Sequence, residues 1–100
     1  MIQIQVVPSG DLDAHKLLKS RIRHGASTWF WANRARTRLR HKGRVKGGYV
    51  EVKGAGGILV ARVVPARGAD HFYLAEKLIG RLVGWFEDEL VAINIQFVRD

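Results

Sequence analysis

Cysteine is absent from this chain, and its absence excludes several classes of protein together. Disulfide bridges, thiolate zinc sites and catalysis by a thiol all need this residue. The sequence therefore lacks the framework of a small secreted domain held together by disulfides.

Long apolar runs are also missing. No stretch approaches the roughly 18 to 20 apolar residues that a membrane-spanning helix requires. The opening "MIQIQVVPSGDLD" has neither the basic nor the apolar segment of a secretory signal. We therefore expect a cytoplasmic protein that has no membrane partner.

Motifs for metal, cofactor or covalent chemistry are equally scarce. The four histidines show no metal-ligand spacing with acidic residues, and no serine or threonine lies in a nucleophile elbow. The glycine-rich "KGAGG" lacks the Lys-Ser/Thr pair of a P-loop, so it is expected to be a hairpin loop. The sequence thus predicts no metal site and no cofactor, and it favours a protein that is not an enzyme.

One arrangement argues for catalysis: His41, Glu51 and Arg62 fall on successive strands of the predicted sheet. These residue types can serve as acid, base and phosphate stabiliser in RNA cleavage without a metal. The expected register places His41 and Glu51 on opposite faces. A small metal-independent RNase is therefore the least favoured interpretation.

Apolar periodicity is what the chain does have. Alternation at 2–6 and 91–97 predicts strands, and helical spacing predicts amphipathic helices that begin near Asp11 and Asp70. The expected fold is a single α+β domain over residues 1–100, a two-layer sandwich with both helices on one face of a mostly antiparallel sheet of four to five strands. Its order is expected to be ferredoxin-like β-α-β-β-α-β, with an extra basic strand or arm. A homodimer stays open, because 100 residues support only a modest core.

Positive charge is concentrated in one fifth of the sequence. The net charge is +8, and residues 33–53 carry eight basic side chains and one acidic one. Within "NRARTRLRHKGRVKGG" a cation occupies every second position, namely Arg34, Arg36, Arg38, Arg40, Lys42, Arg44 and Lys46. Such a biased block predicts attraction to a polyanion.

The alternation of these cations predicts an extended ribbon. A strand would display them on one face, whereas a helix would spread them around its axis and set like charges four residues apart. A hairpin turn at Gly47-Gly48 would then place Arg44 opposite Glu51. A solvated edge strand, protected by charge against aggregation, is the competing explanation.

Trp29 and Trp31 directly precede the basic run, in a segment, 27–35, that suits a helix and a strand equally well. In a nucleic-acid-binding protein such rings could stack on unpaired bases. Packing in the core is the alternative role for them.

The favoured interpretation is a small, basic, non-enzymatic protein that binds nucleic acid, either RNA or DNA, or another polyanion. The seven alternating cations would contact phosphates, with Lys53, Trp29 and Trp31 as additional contacts. The alternative is a protein-interaction subunit whose basic arm docks an acidic partner.

Overall fold

The computed structural model describes residues 1–23, 28–44, 48–65 and 71–99. These ranges form β1 (Ile2–Pro8), α1 (Ala14–Arg23), β2 (Trp29–Trp31), β3 (Arg38–His41), a 3-10 turn (Lys42–Arg44), β4 (Tyr49–Ala55), β5 (Ile58–Val64), α2 (His71–Phe86) and β6 (Leu90–Phe97). Neither of the two helices has the length and apolar character needed to cross a membrane. Asp70, expected to cap the second helix, lies outside the described residues.

The strands form one antiparallel sheet in the order β2-β3-β4-β5-β1-β6. It has six strands, not the four to five expected. The undecided segment before the basic run accounts for part of the difference, because residues 29–31 form β2 and pair with β3. The α+β class and the first and last strands agree with the sequence prediction.

One face of the sheet carries the core. In β1, Ile2, Ile4 and Val6 are buried, while Gln3 and Gln5 point to the other side. Both helices contribute to the same apolar cluster, with Leu18 from α1 and Leu74, Leu78 and Leu82 from α2. Burying one such leucine side chain fully contributes about 1.5 to 3 kcal/mol. The opposite face of the sheet, called the outer face below, carries no helix of the described residues.

The start of α1 is fixed by a side-chain cap. The Asp13 carboxylate accepts hydrogen bonds from the backbone N–H groups of His15 (3.0 Å) and Lys16 (3.1 Å). The cap is therefore Asp13, whereas the sequence suggested Asp11. His15 Nε2 in turn donates to the backbone carbonyl of Arg36 at 3.0 Å, which ties the first turn of α1 to the segment between β2 and β3.

Candidate nucleic-acid interface

The seven alternating cations do not form one ribbon. Of the six whose backbone the structure describes, only Arg38 and Arg40 lie on a strand. Arg34 and Arg36 precede it in the turn that joins β2 to β3, while Lys42 and Arg44 follow it in the 3-10 turn. Lys46 and the side chain of Arg44 lie outside the described parts of the structure. The prediction of a single extended strand across the basic run is therefore wrong.

The predicted register is wrong as well. Arg38, not Arg44, lies opposite Glu51, and Leu39 lies opposite Val50. Leu39 is fully buried, so it sets which face of β3 joins the core. The strand ends at His41, where the N–H of Gly43 donates to Nδ1 of the imidazole at 3.1 Å and the chain turns. The expected two-residue turn at Gly47-Gly48 falls partly outside the described residues.

Asn33 organises the turn between β2 and β3. Its side-chain oxygen accepts hydrogen bonds from the N–H groups of Thr37 (3.0 Å) and Arg38 (3.1 Å), and its amide nitrogen donates to the Thr37 hydroxyl at 2.8 Å. Arg36 adopts a left-handed backbone with φ of 54°. Together these features form a compact turn, in which strand hydrogen bonding is interrupted. The strand therefore begins only at Arg38, although the alternation of charges begins at Arg34.

Arg38 and Arg40 project from the outer face beside two aromatic rings. Arg40 lies opposite Phe30 of β2. The guanidinium of Arg38 lies over the ring of Tyr49, 5.1 Å from its centroid. A shallow cavity of about 390 Å³ opens here, lined by Ala32, Asn33, Arg38, Arg40 and Tyr49. Phe30 and Tyr49 are half-buried, so part of each ring is accessible to a ligand.

Three of the arginines around this cavity are not neutralised by carboxylates of the described residues. Arg34, Arg36 and Arg38 form no ion pair with a carboxylate, within the residues that the structure describes. Glu51 is the one acidic residue in the basic block, and it lies between Arg38 and Arg62 on the neighbouring strands. The site therefore keeps a net positive charge.

The rest of the outer face divides into two parts. Lys53 is exposed on β4, on the same face as Glu51, and extends the basic area along that strand. Across β1 and β6 the face is neutral. There, Gln3 donates to Gln96 at 2.9 Å and Asn94 donates to Gln5 at 2.8 Å, so these amides pair with each other. The charge is confined to the half of the sheet that contains β3, β4 and β5.

The two tryptophans lie on the core side. Trp29 is only 2% exposed and meets the ring of His41 edge-on at 5.1 Å. Trp31 is half-buried against the core, with its ring 6.2 Å from that of His15. The strand pairing explains this placement, because Trp29 lies opposite His41 and Trp31 opposite the buried Leu39. Trp29 is thus not available to stack on a base, and Phe30 takes the outward position.

Sequence reasoning missed Phe30, Tyr49 and Asn33 as site residues. A signal existed for Phe30, since a strand over residues 29–31 exposes either this ring alone or both tryptophans. For Tyr49 the only signal was its place beside Val50 in a segment with strand-like alternation, which directs its ring away from the apolar face. Asn33 gave none, because its role depends on the turn that it stabilises.

The three residues considered for RNA cleavage do not converge. His41 is buried on the core side, where Nε2 lies 3.2 Å from the Thr28 hydroxyl. Glu51 and Arg62 lie opposite each other on the outer face. The guanidinium of Arg62 donates from Nε and Nη2 to the sulfur of Met1, at 3.4 and 3.3 Å. The sheet itself therefore separates the imidazole from the carboxylate.

Comparison of the chain with models of known protein families, with characterised proteins and with solved structures finds no match. A search of the described residues for a cluster of histidine, cysteine or acidic side chains able to hold a metal ion finds none. The geometry and charge of the outer face are therefore the features from which function is inferred.

Proposed function

We propose that this protein binds single-stranded nucleic acid on the basic half of its outer face. The observation that carries the proposal is that Arg38, Arg40 and Tyr49 line one uncovered cavity, with Phe30 opposite Arg40 on the neighbouring strand. Arg38 and Arg40 would hold phosphates, while the accessible parts of the Phe30 and Tyr49 rings would contact unstacked bases. Arg34 and Lys53 would extend the contact along the backbone of the ligand.

The shape of the surface supports a single strand over a duplex. A slim two-stranded ribbon can enter the major groove of DNA. Here β3 and β4 lie inside a six-stranded sheet, so no isolated ribbon carries the arginines. A broad sheet face suits bases that are splayed out of a helix. In RNA-binding domains such bases stack on aromatic residues of the sheet. The proposal does not choose between ribose and deoxyribose, so both RNA and DNA are tested.

The proposal includes two further expectations. We take the fold as a ferredoxin-like unit, because β1, α1, β4, β5, α2 and β6 follow that order and their strands lie as β4-β5-β1-β6, with β2 and β3 added beyond β4. We also expect a cytoplasmic location, which the lack of cysteine supports.

The test is a titration followed by fluorescence anisotropy. Labelled single strands of about 12 nucleotides, as RNA and as DNA, match the length that one domain of this size contacts. A duplex of the same sequence, heparin and polyglutamate serve as comparisons. We expect the single strands to bind more tightly than the duplex and polyglutamate to bind weakly. Preferred binding of polyglutamate would instead support the acidic protein partner, and absence of binding to nucleic acid at low salt would end the proposal.

A further inference from the structure

A row of polar side chains crosses the outer face of the sheet. The pairing registers place its members opposite one another on five neighbouring strands: Arg38 on β3, Glu51 on β4, Arg62 on β5, Gln3 on β1 and Gln96 on β6. Neighbouring strands lie about 4.8 Å apart, so the row is about 19 Å long. It leads from the cavity of the proposed nucleic-acid site to a part of the sheet that carries amides.

Four amides form a patch at the far end of this row. Gln3 and Gln5 of β1 lie opposite Gln96 and Asn94 of β6. Residues two positions apart on a strand are separated by about 7 Å, so the four residues occupy an area of about 5 by 7 Å. Asn94 and Gln96 are exposed, and both helices pack against the other face of the sheet. These four residues, called the amide patch below, are therefore open to a ligand.

The hydrogen bonds between the amides use only half of their bonding groups. Gln3 donates to Gln96 at 2.9 Å, and Asn94 donates to Gln5 at 2.8 Å. Each carboxamide has one carbonyl oxygen and one NH2 group. Within the parts of the chain that the structure describes, the oxygens of Gln3 and Asn94 and the NH2 groups of Gln5 and Gln96 make no hydrogen bond. The amide patch thus presents two acceptors and two donors to solvent.

Base edges offer the groups that complement such amides. Unpaired bases of a single strand are recognised by hydrogen bonds to their Watson–Crick and Hoogsteen edges. Adenine suits glutamine and asparagine, because its N6 group donates to the amide oxygen while its N7 accepts from the amide nitrogen. Neither β1 nor β6 carries a charged side chain, so phosphates are not attracted to this part of the sheet. The chemistry of the patch therefore fits bases and not the backbone of a nucleic acid.

We propose that the amide patch binds bases of the same single strand whose phosphates Arg38 and Arg40 hold, and that it gives binding a preference for adenine. This role rests on the proposed function, because neutral amides meet a polyanion only where the arginines attract it. The ligand would follow the row from β3 to β6. Glu51 does not block this path, since it lies between Arg38 and Arg62 and the three side chains together remain positive.

Two variants with the same change of charge test whether the ligand reaches β6. Gln96→Glu places a carboxylate on the outer face with little change of shape. Ile95→Glu places it one residue away on the helix side, opposite the buried Ile4. Binding of the labelled single strands is measured by anisotropy, and we expect Gln96→Glu to weaken it by about fivefold more than Ile95→Glu does. Equal effects of the two variants would overturn the inference.

A second pair of variants tests the contact with bases. Gln3→Met/Gln96→Met removes one amide pair and keeps the length of both side chains. The ligands are two strands of about 12 nucleotides, one alternating cytosine with adenine and the other alternating cytosine with uracil or thymine. We expect the wild type to prefer the adenine strand by about fivefold or more. The double variant should lose most of this preference and keep its salt slope, because neutral amides release no counterions. Ile95→Met is the matched control and should behave as the wild type.

The outcomes separate the amide contacts from the proposed function. If the wild type binds neither strand, both fail. If Arg38→Gln/Arg40→Gln weakens binding but Gln3→Met/Gln96→Met retains the wild-type affinity and preference, the basic site stands and the amides serve only to join β1 to β6. A wild-type preference for the strand without adenine would also overturn the inference. Circular dichroism checks folding, and Gln96→Met alone, at an exposed position, replaces the double variant if that variant is unfolded.

Discussion

Replacing both strand arginines, in Arg38→Gln/Arg40→Gln, tests the proposed phosphate contacts most directly. Arg34, Arg38, Arg40 and Lys53 together offer about four contacts, and each contact with a single strand contributes about −0.7 to the slope of log affinity against log salt. The wild-type slope should then be about −2.8, which corresponds to roughly 50-fold weaker binding at 200 mM salt than at 50 mM. With two contacts fewer, the slope should be about −1.4, and affinity should fall only about sevenfold between 50 mM and 200 mM salt.

The assay is anisotropy with a labelled single strand at several salt concentrations between these limits. Circular dichroism and thermal melting confirm that the variant is folded, which is expected because Arg38 and Arg40 lie outside the core cluster. Arg81→Gln is the matched control for one charge. This exposed arginine lies on α2, on the other side of the molecule, where its guanidinium lies 6.0 Å from the Trp85 ring centroid. It should leave the slope almost unchanged.

Two results would refute the reasoning. If the double variant keeps the wild-type slope, Arg38 and Arg40 do not contact phosphates. If Arg81→Gln makes the salt dependence less steep by half as much as the double variant does, binding follows the net charge of +8 and not a defined face.

Three further predictions concern the aromatic contact and the turns. Tyr49→Ala should weaken single-strand binding by about 1 to 3 kcal/mol in the same assay, with Tyr49→Phe close to wild type, because stacking needs the ring and not the hydroxyl. Asn33→Ala should lower the free energy of unfolding in urea by about 1 to 3 kcal/mol, since two backbone N–H groups lose their acceptor, and Asn33→Asp should retain most of it. Gly57→Ala should lower the melting temperature, because its φ is +88° and an added Cβ would lie 2.9 Å from the Leu12 carbonyl oxygen. Gly80→Ala should raise the melting temperature, because an added Cβ on α2 meets no atom within 4 Å and alanine favours a helix over glycine.

Apolar periodicity predicted structure better than charge periodicity, and the reason is physical. In β1 the alternation of apolar residues reports which side chains leave water, so it constrains the backbone. Charged side chains remain solvated in a strand, a turn or a 3-10 helix alike. Alternation from Arg34 to Lys46 therefore carried little information on conformation. The informative residue was Leu39, whose burial places Arg38 and Arg40 outward.

The orientation of the aromatic segment could not come from its own sequence. A strand over Trp29, Phe30 and Trp31 has two sides, and either one suits a core. The partner strand β3 decides the orientation of residues 29–31, because its buried residues Leu39 and His41 lie opposite the two tryptophans. This pairing depends on a turn whose shape comes from Asn33. Register between strands is a property of both strands and the turn, which local patterns describe only in part.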